Sequence, residues 1–273
     1  MPGPSTPPTA LTIAGSDSGG GAGIQADLKT FAAHGVHGTS ALTAVTAQNT
    51  AQVRGVVALD PDFVRLQIET VLDDFAVMGV KTGMLANRAI VEVVADLAGA
   101  GRLPGLVVDP VLVSSTGQAL MAPEGLAAYV ERLLPHALVV TPNLREAATL
   151  TGIDVGDLMS VPAMTEAAEL IRAWGARYVV VKGGHLTDAA HDVVAGPEGV
   201  TVLEAVRVVT GNDHGTGCSL SAAIAAHLAR GDDVLTAVGA AKAFVARGLA
   251  GAAGWRLGAG HGPIDHFGWS GAT

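Results

Sequence analysis

The sequence predicts an α/β fold with a largely parallel central sheet. Short β-branched runs alternate with longer Ala/Leu-rich segments of helical periodicity. Most of those runs are apolar throughout, as strands covered on both faces are. The 273 residues are 49% hydrophobic, enough for one large core. No repeat, heptad pattern or linker-rich stretch divides the chain.

The elements follow in order. Residues 1–8 (MPGPSTPP) carry no basic side chain and no apolar run, so they read as a flexible tail rather than a signal peptide, and 9–273 as a single domain. Leu11–Ala14 is the first strand; Ile24, Leu28 and Phe31 then share one helical face. Ser40–Val45 is the second strand, and polar Thr46–Val53 reads as a flexible loop. Strands Val77–Val80, Leu106–Val108, Leu138–Val140 and Tyr178–Val181 follow. Helical patterns lie at Phe63–Val71, Ala89–Leu97, Pro123–Leu133, Thr165–Trp174, Cys218–Ala229 and Val234–Leu249. Right-handed βαβ connections then imply the parallel sheet, with a closed (β/α)₈ barrel as the competing topology.

Composition excludes several classes. Sixteen Lys+Arg against 25 Asp+Glu give a net charge of −9, which leaves no basic face for nucleic acid or an anionic membrane. One cysteine excludes an internal disulfide. Cys218–Ala229 is apolar but too short to span a bilayer, so the expectation is a cytoplasmic protein.

Polar residues gather where strands end. The first strand runs into Gly15-Ser16-Asp17-Ser18 and a glycine run to Gly23. The others end in Lys81-Thr82-Gly83-Met84, Asp109-Pro110-Val111, Thr141-Pro142-Asn143 and Lys182-Gly183-Gly184-His185. Ligands of open parallel sheets bind beyond these carboxyl ends. Turn chemistry explains each case singly but does not call for lysines. His214-Gly215-Thr216-Gly217-Cys218-Ser219 precedes a helix, where free amides and the dipole bind anions; an ordinary capped glycine turn fits the spacing equally well. Neither G-x-G-x-x-G nor G-x-x-x-x-G-K-[ST] is present, and the nine histidines form no zinc spacing with Cys218.

Seven segments in order carry a family resemblance: AGSDSGGGAGIQADLKT (Ala14–Thr30), TAVTAQNT (Thr43–Thr50), KTGML (Lys81–Leu85), DPV (Asp109–Val111), TPNLREA (Thr141–Ala147), VKGGH (Val181–His185) and HGTGC (His214–Cys218). Together they resemble the hydroxymethylpyrimidine/phosphomethylpyrimidine kinases of thiamine biosynthesis, members of the ribokinase-like superfamily. The resemblance spans nearly the whole chain. It implies a three-layer α/β/α sandwich, ATP and Mg²⁺, and two successive phosphorylations of 4-amino-5-hydroxymethyl-2-methylpyrimidine. It also implies a homodimer.

The resemblance assigns roles residue by residue. Gly215, Thr216 and Gly217 supply the anion hole, and Lys182 lies near the nucleotide phosphates. Asn143 and Glu146 form the superfamily's N-x-x-E motif, Asn143 toward the nucleotide and Glu146 toward Mg²⁺ through water. The same two residues fit a helix capping box, and both readings can hold. Asp109 is a second metal candidate. Cys218 stands where many sugar kinases of the superfamily carry a catalytic aspartate; at a helix N-terminus its thiol is expected to be lowered and to act as base. An inert buried thiol is the plainer reading. Asp27 is the competing base, placed near substrate in the family. Gln48 matches the Glu or Gln that pairs with the aminopyrimidine edge, and Gly15, Met84 and Val111 line the pyrimidine pocket.

Two positions depart from the family pattern: Asp213 and Ser219 stand where Thr is usual on either side of the motif. Ser219 keeps the hydroxyl, whereas Asp213 adds charge near the expected phosphates. A pyridoxal kinase of the same superfamily and a non-catalytic pyrimidine-binding paralogue are the alternatives. Gln48 favours the pyrimidine, and retention of Lys182, Glu146 and the Gly-Thr-Gly motif favours catalysis.

Overall fold

The computed structural model describes residues 6–112, 121–184 and 190–271. Residues 1–5 of the expected tail and His185 lie outside them. The strands are β1 (Thr9–Ser16), β2 (His37–Gln48), β3 (Val53–Ala58), β4 (Val77–Thr82), β5 (Leu106–Val108), β6 (Val139–Val140), β7 (Tyr178–Gly183), β8 (His191–Gly196) and β9 (Gly199–Leu203). The helices are α1 (Gly23–Ala33), α2 (Pro61–Asp74), α3 (Arg88–Gly99), α4 (Pro123–Ala128), α5 (Leu144–Thr151), α6 (Val161–Arg172), α7 (Thr216–Ala229) and α8 (Val234–Ala252). Beyond α4 the chain continues through a π-turn at Tyr129–Leu133, so the helical pattern at Pro123–Leu133 is realised in two geometries.

All nine strands join one sheet in the order β3-β2-β1-β4-β5-β6-β7-β8-β9. β1 pairs in parallel with β2 and β4, and parallel pairing continues from β4 to β7. β3, β8 and β9 are antiparallel additions at the two edges. Two edges mean an open sheet, which excludes the closed barrel. Alternate strand residues face two cores, making three layers. Val108, Val140 and Val181 pack with Val64, Ile90 and Ile171 of α2, α3 and α6. Val107, Val139 and Val180 pack with Phe31, Ile224 and Phe244 of α1, α7 and α8.

Four strands correct the sequence reading. Thr46–Gln48 is not loop but the end of β2, which pairs with β3. All six residues of β3 are exposed, so no buried apolar run marks it. β8 and β9 form a hairpin across Pro197-Glu198, and β9 is exposed except at half-buried Leu203. α8 is long and apolar enough by length and composition to cross a membrane. In this fold Val238, Ala241 and Phe244 of α8 pack into the core beside α7, while mid-helix Lys242 pairs with Asp192 at 2.7 Å.

Candidate active site

The carboxyl ends of β1, β4, β5, β6 and β7 lie side by side, and the α7 N-terminus faces them. Gly215 caps α7 at φ +82°, and a β-carbon there would lie 1.8 Å from Gly21 O. Only glycine lets the two glycine loops touch this closely. No side chain caps α7, so the N–H groups of Gly217 and Cys218 have no intrahelical acceptor. Thr216 opens the helix, with its N–H directed to Asp213 O at 3.3 Å. The departure at Asp213 is resolved outward: its exposed carboxylate meets His261 Nδ1 at 2.7 Å. Ser219 turns inward to His266 Nε2 at 3.0 Å.

On one side of this N-terminus lies a buried charge cluster. Lys182 Nζ donates to Asp109 Oδ1 at 3.1 Å, and a β-carbon on Gly217 would sit 3.2 Å from the same ammonium. Asp109 also accepts from Thr141 Oγ1 at 3.2 Å and from Ser221 Oγ on α7 at 3.3 Å. Burial opposes its ionisation, but Lys182 and Lys81 hold the carboxyl low. Asn143 and Glu146 form the capping box: Glu146 N donates to Asn143 Oδ1 at 2.9 Å, and Asn143 N to Glu146 Oε2 at 2.8 Å. The Asn143 oxygen is therefore committed to the helix, while Glu146 Oε1 is not part of the box. Burial and the Asp109 charge push the Glu146 carboxyl up to about 7, against the pull of Lys182.

The centre belongs to a residue to which the sequence reading gave no role. Lys81 at the end of β4 is fully buried and reaches both oxygens of Asp27, at 2.9 and 3.0 Å. Gly83 leaves room for it, since a β-carbon there would lie 2.8 Å from Nζ. Burial disfavours the ammonium, but Asp27, Cys218 and Asp109 outweigh it and hold the pKa above the ordinary value. The available signal was a lysine inside a strand otherwise covered on both faces. Asp27 also accepts from Thr12 Oγ1 at 2.6 Å. Three donors from Thr12 and Lys81 thus reach the carboxylate expected as the alternative base to Cys218, and burial raises its carboxyl against the pull of Lys81.

Cys218 lies in the first turn of α7, and Gly23 N–H points to its sulfur. The expected lowering of the thiol is not found. Burial pushes it up to about 11, with Asp27 and Asp109 adding to the rise and Lys81 opposing it. Desolvation outweighs the helix N-terminus here.

The other flank holds the pyrimidine-side candidates. Gln48, half-buried at the end of β2, lies 3.4 Å from His214 Nε2. His214 Nε2 also lies 3.0 Å from Asp17 Oδ2. Gly15 abuts Met84, whose Cε would be 2.5 Å from a β-carbon there. Val111 follows β5 half-buried, its N–H donating to Asp109 O at 2.8 Å. Gln48 and Lys182 thus both meet the one segment His214–Cys218, at its two ends.

Free amides at a helix N-terminus, buried lysines and carboxylates beside them are the kinds of group that phosphoryl transfer uses, and the fold is that of the ribokinase-like kinases. Residues 17–265 match the family described as phosphomethylpyrimidine kinase. The Streptomyces coelicolor hydroxymethylpyrimidine/phosphomethylpyrimidine kinase is 49% identical over 267 residues, covering 98% of this chain and 97% of its own. An ADP complex of Bacillus subtilis pyridoxal kinase superposes with TM-score 0.87 at 41% identity, covering 96% of this chain and 98% of that one. The Clostridium difficile phosphomethylpyrimidine kinase superposes with TM-score 0.76 at 40% identity, covering 87% and 97%. The chain belongs to the phosphomethylpyrimidine kinase family.

Proposed function

We propose that the protein transfers the terminal phosphoryl group of ATP to 4-amino-5-hydroxymethyl-2-methylpyrimidine, and then to the resulting monophosphate. The observation that carries this is the segment His214–Cys218, against which an ion-paired lysine lies on one side and Gln48 on the other. Family membership supports the acceptor, and the ADP held by the Bacillus subtilis pyridoxal kinase supports the donor.

The division of labour follows from charge. Lys182 and the amides of Gly217 and Cys218, with Thr216 beside them, face the terminal phosphates and stabilise charge as the bond to ADP breaks. The acceptor oxygen attacks phosphorus in line as the bond to ADP breaks; in the first step its hydroxyl proton passes to an oxygen of the transferred phosphoryl group and on to water, and in the second it is already an anionic phosphate oxygen. Cys218, protonated at neutral pH, contacts the acceptor and orients it. Gln48 reads the ring edge, with Gly15, Met84 and Val111 around the ring.

Three buried carboxylates (Asp27, Asp109, Glu146) face one buried and one half-buried ammonium group (Lys81, Lys182), and burial together with the Asp109 charge raises Glu146. Hard oxygen donors with surplus charge suit Mg²⁺. Among the described residues no three His, Cys, Asp or Glu side chains gather closely enough to hold a metal alone. Glu146, and Asp109 behind Lys182, would therefore hold Mg²⁺ through water and phosphate oxygens. Bound there, it would neutralise phosphate charge. The protein is further proposed to be one kinase domain, cytoplasmic and homodimeric. The exposed Val45 and Val57, directly opposite each other on the β2–β3 hairpin, supply an apolar face for the dimer.

The test is product analysis by mass spectrometry with ATP-Mg²⁺ and the pyrimidine alcohol, expecting monophosphate followed by diphosphate. Pyridoxal belongs in the same assay, because a pyridoxal kinase superposes so closely. A specificity constant for pyridoxal above that for the pyrimidine would replace this reading.

A further inference from the structure

Asp17 is a buried carboxylate at the end of β1 with every oxygen employed. Its Oδ1 accepts from Gly19 N at 2.8 Å, and Oδ2 from Gly21 N at 3.1 Å and Ala22 N at 2.9 Å. The same Oδ2 lies 3.0 Å from His214 Nε2. Burial alone would raise this carboxyl, but the bonds from His214, Ala22 and Gly19 outweigh it, so it stays ionised. An ionised carboxylate only accepts. His214 must therefore carry its hydrogen on Nε2, the nitrogen that also faces Gln48.

A donor at Nε2 decides what Gln48 can offer it. With the Gln48 nitrogen turned to His214, two N–H groups confront each other across 3.4 Å. Turning the carboxamide over removes that clash and puts Oε1 there instead, where it shares the Nε2–H already donated to Asp17, with almost no change in shape. His214 is held in place because it packs directly on Gly21, where a β-carbon would lie 2.5 Å from its Cδ2.

We propose that the Asp17–His214 pair fixes which way round the Gln48 carboxamide sits, and through it which hydrogen-bonding edge of a heteroaromatic acceptor is selected. This rests on the reading of Gln48 as the ring-recognition residue. With Oε1 toward His214, the second Oε1 lone pair accepts from an exocyclic amine, and Nε2 donates to the adjacent ring nitrogen. A 4-aminopyrimidine presents that acceptor–donor edge. The 4-oxo analogue with hydrogen on the ring nitrogen presents the reverse pattern, which only a turned-over carboxamide matches. His214 and Asp17 are thus positioning residues for specificity, reaching Gln48 from 166 and 31 positions away in the sequence.

Calorimetric titration of 4-amino-5-hydroxymethyl-2-methylpyrimidine and its 4-oxo counterpart tests this. In His214→Ala the preference for the amino compound should fall at least tenfold, with the change in KM rather than kcat. His214→Gln, whose amide N–H can replace Nε2–H, should keep most of it. If His214→Ala weakens both compounds equally, the residue is merely structural and the proposal fails. Gln48→Ala separates the two levels: unchanged affinity for the amino compound would overturn the role of Gln48 and this inference with it. Nitrogen-15 NMR of the unmodified protein, with His214 assigned by its absence from His214→Gln, gives a reading independent of mutant folding. A protonated, pyrrole-type Nε2 is expected, and a pyridine-type Nε2 would sink the orientation argument.

Discussion

Lys81 Nζ lies 2.9 Å from Asp27 Oδ2, and neither side chain is exposed to solvent. The pair ties the end of β4 to the first turns of α1, within electrostatic reach of Cys218. Removing one partner leaves the other as an uncompensated buried charge, which is far costlier than removing both. Lys81→Met should therefore lose about 3–5 kcal/mol of stability in denaturant titrations. Lys81→Met combined with Asp27→Leu should recover most of that loss. A double variant no more stable than the single one would show that the pair is not the source of the cost.

Lys182 and Asp109 form the second ion pair, at the phosphate end. Lys182→Met should lower kcat by about 10²–10³-fold, because a preorganised charge is lost where negative charge develops. Its effect on the KM for the pyrimidine should be small, since Gln48 lies on the opposite flank. Steady-state kinetics with both substrates varied decides this, and a kcat within threefold of the parent would remove Lys182 from the chemistry.

Glu146 predicts a pH dependence. Its carboxyl rises from 4.5 in the unfolded chain to about 7 in the fold. Between those values the native state binds more protons than the unfolded one, so this group's contribution falls as pH rises. Glu146→Gln keeps the capping acceptor and carries no charge. It should be more stable than the parent at pH 8, by on the order of 2 kcal/mol. The advantage should shrink as pH falls through 7 and vanish below about 4.5. Thermal melts across this range check the sign, and a constant difference would contradict it.

Cys218 divides the two reaction steps. A base would matter for the neutral alcohol and little for the phosphate monoester. Because burial holds the thiol protonated, Cys218→Ala is expected to slow both steps by similar factors, each about tenfold or less. Separate rates from the alcohol and from the monophosphate measure this. A loss confined to the first step would restore the cysteine as the base.

Much of the molecule was legible in the chain itself. Apolar strand runs alternating with helical faces determined a parallel sheet, because burial on both faces leaves a composition signal that needs no contacts to be known. The strand ends likewise named Lys182 and Asp109, and the family resemblance named Cys218 and Gln48. The exposed strands β3 and β9 were not legible, because an edge strand buries too little to be patterned. Nor were pairings between distant residues. Asp27 was named as an alternative base, but its pairing with Lys81, 54 residues away, was not to be read from the chain. Cys218 looked like a lowered thiol until burial reversed the sign. His214 met Asp17 across 197 residues. Periodicity records how each segment faces the core; which side chains then share a charge or a proton depends on the order in which strands assemble, and that is settled only by the packed fold.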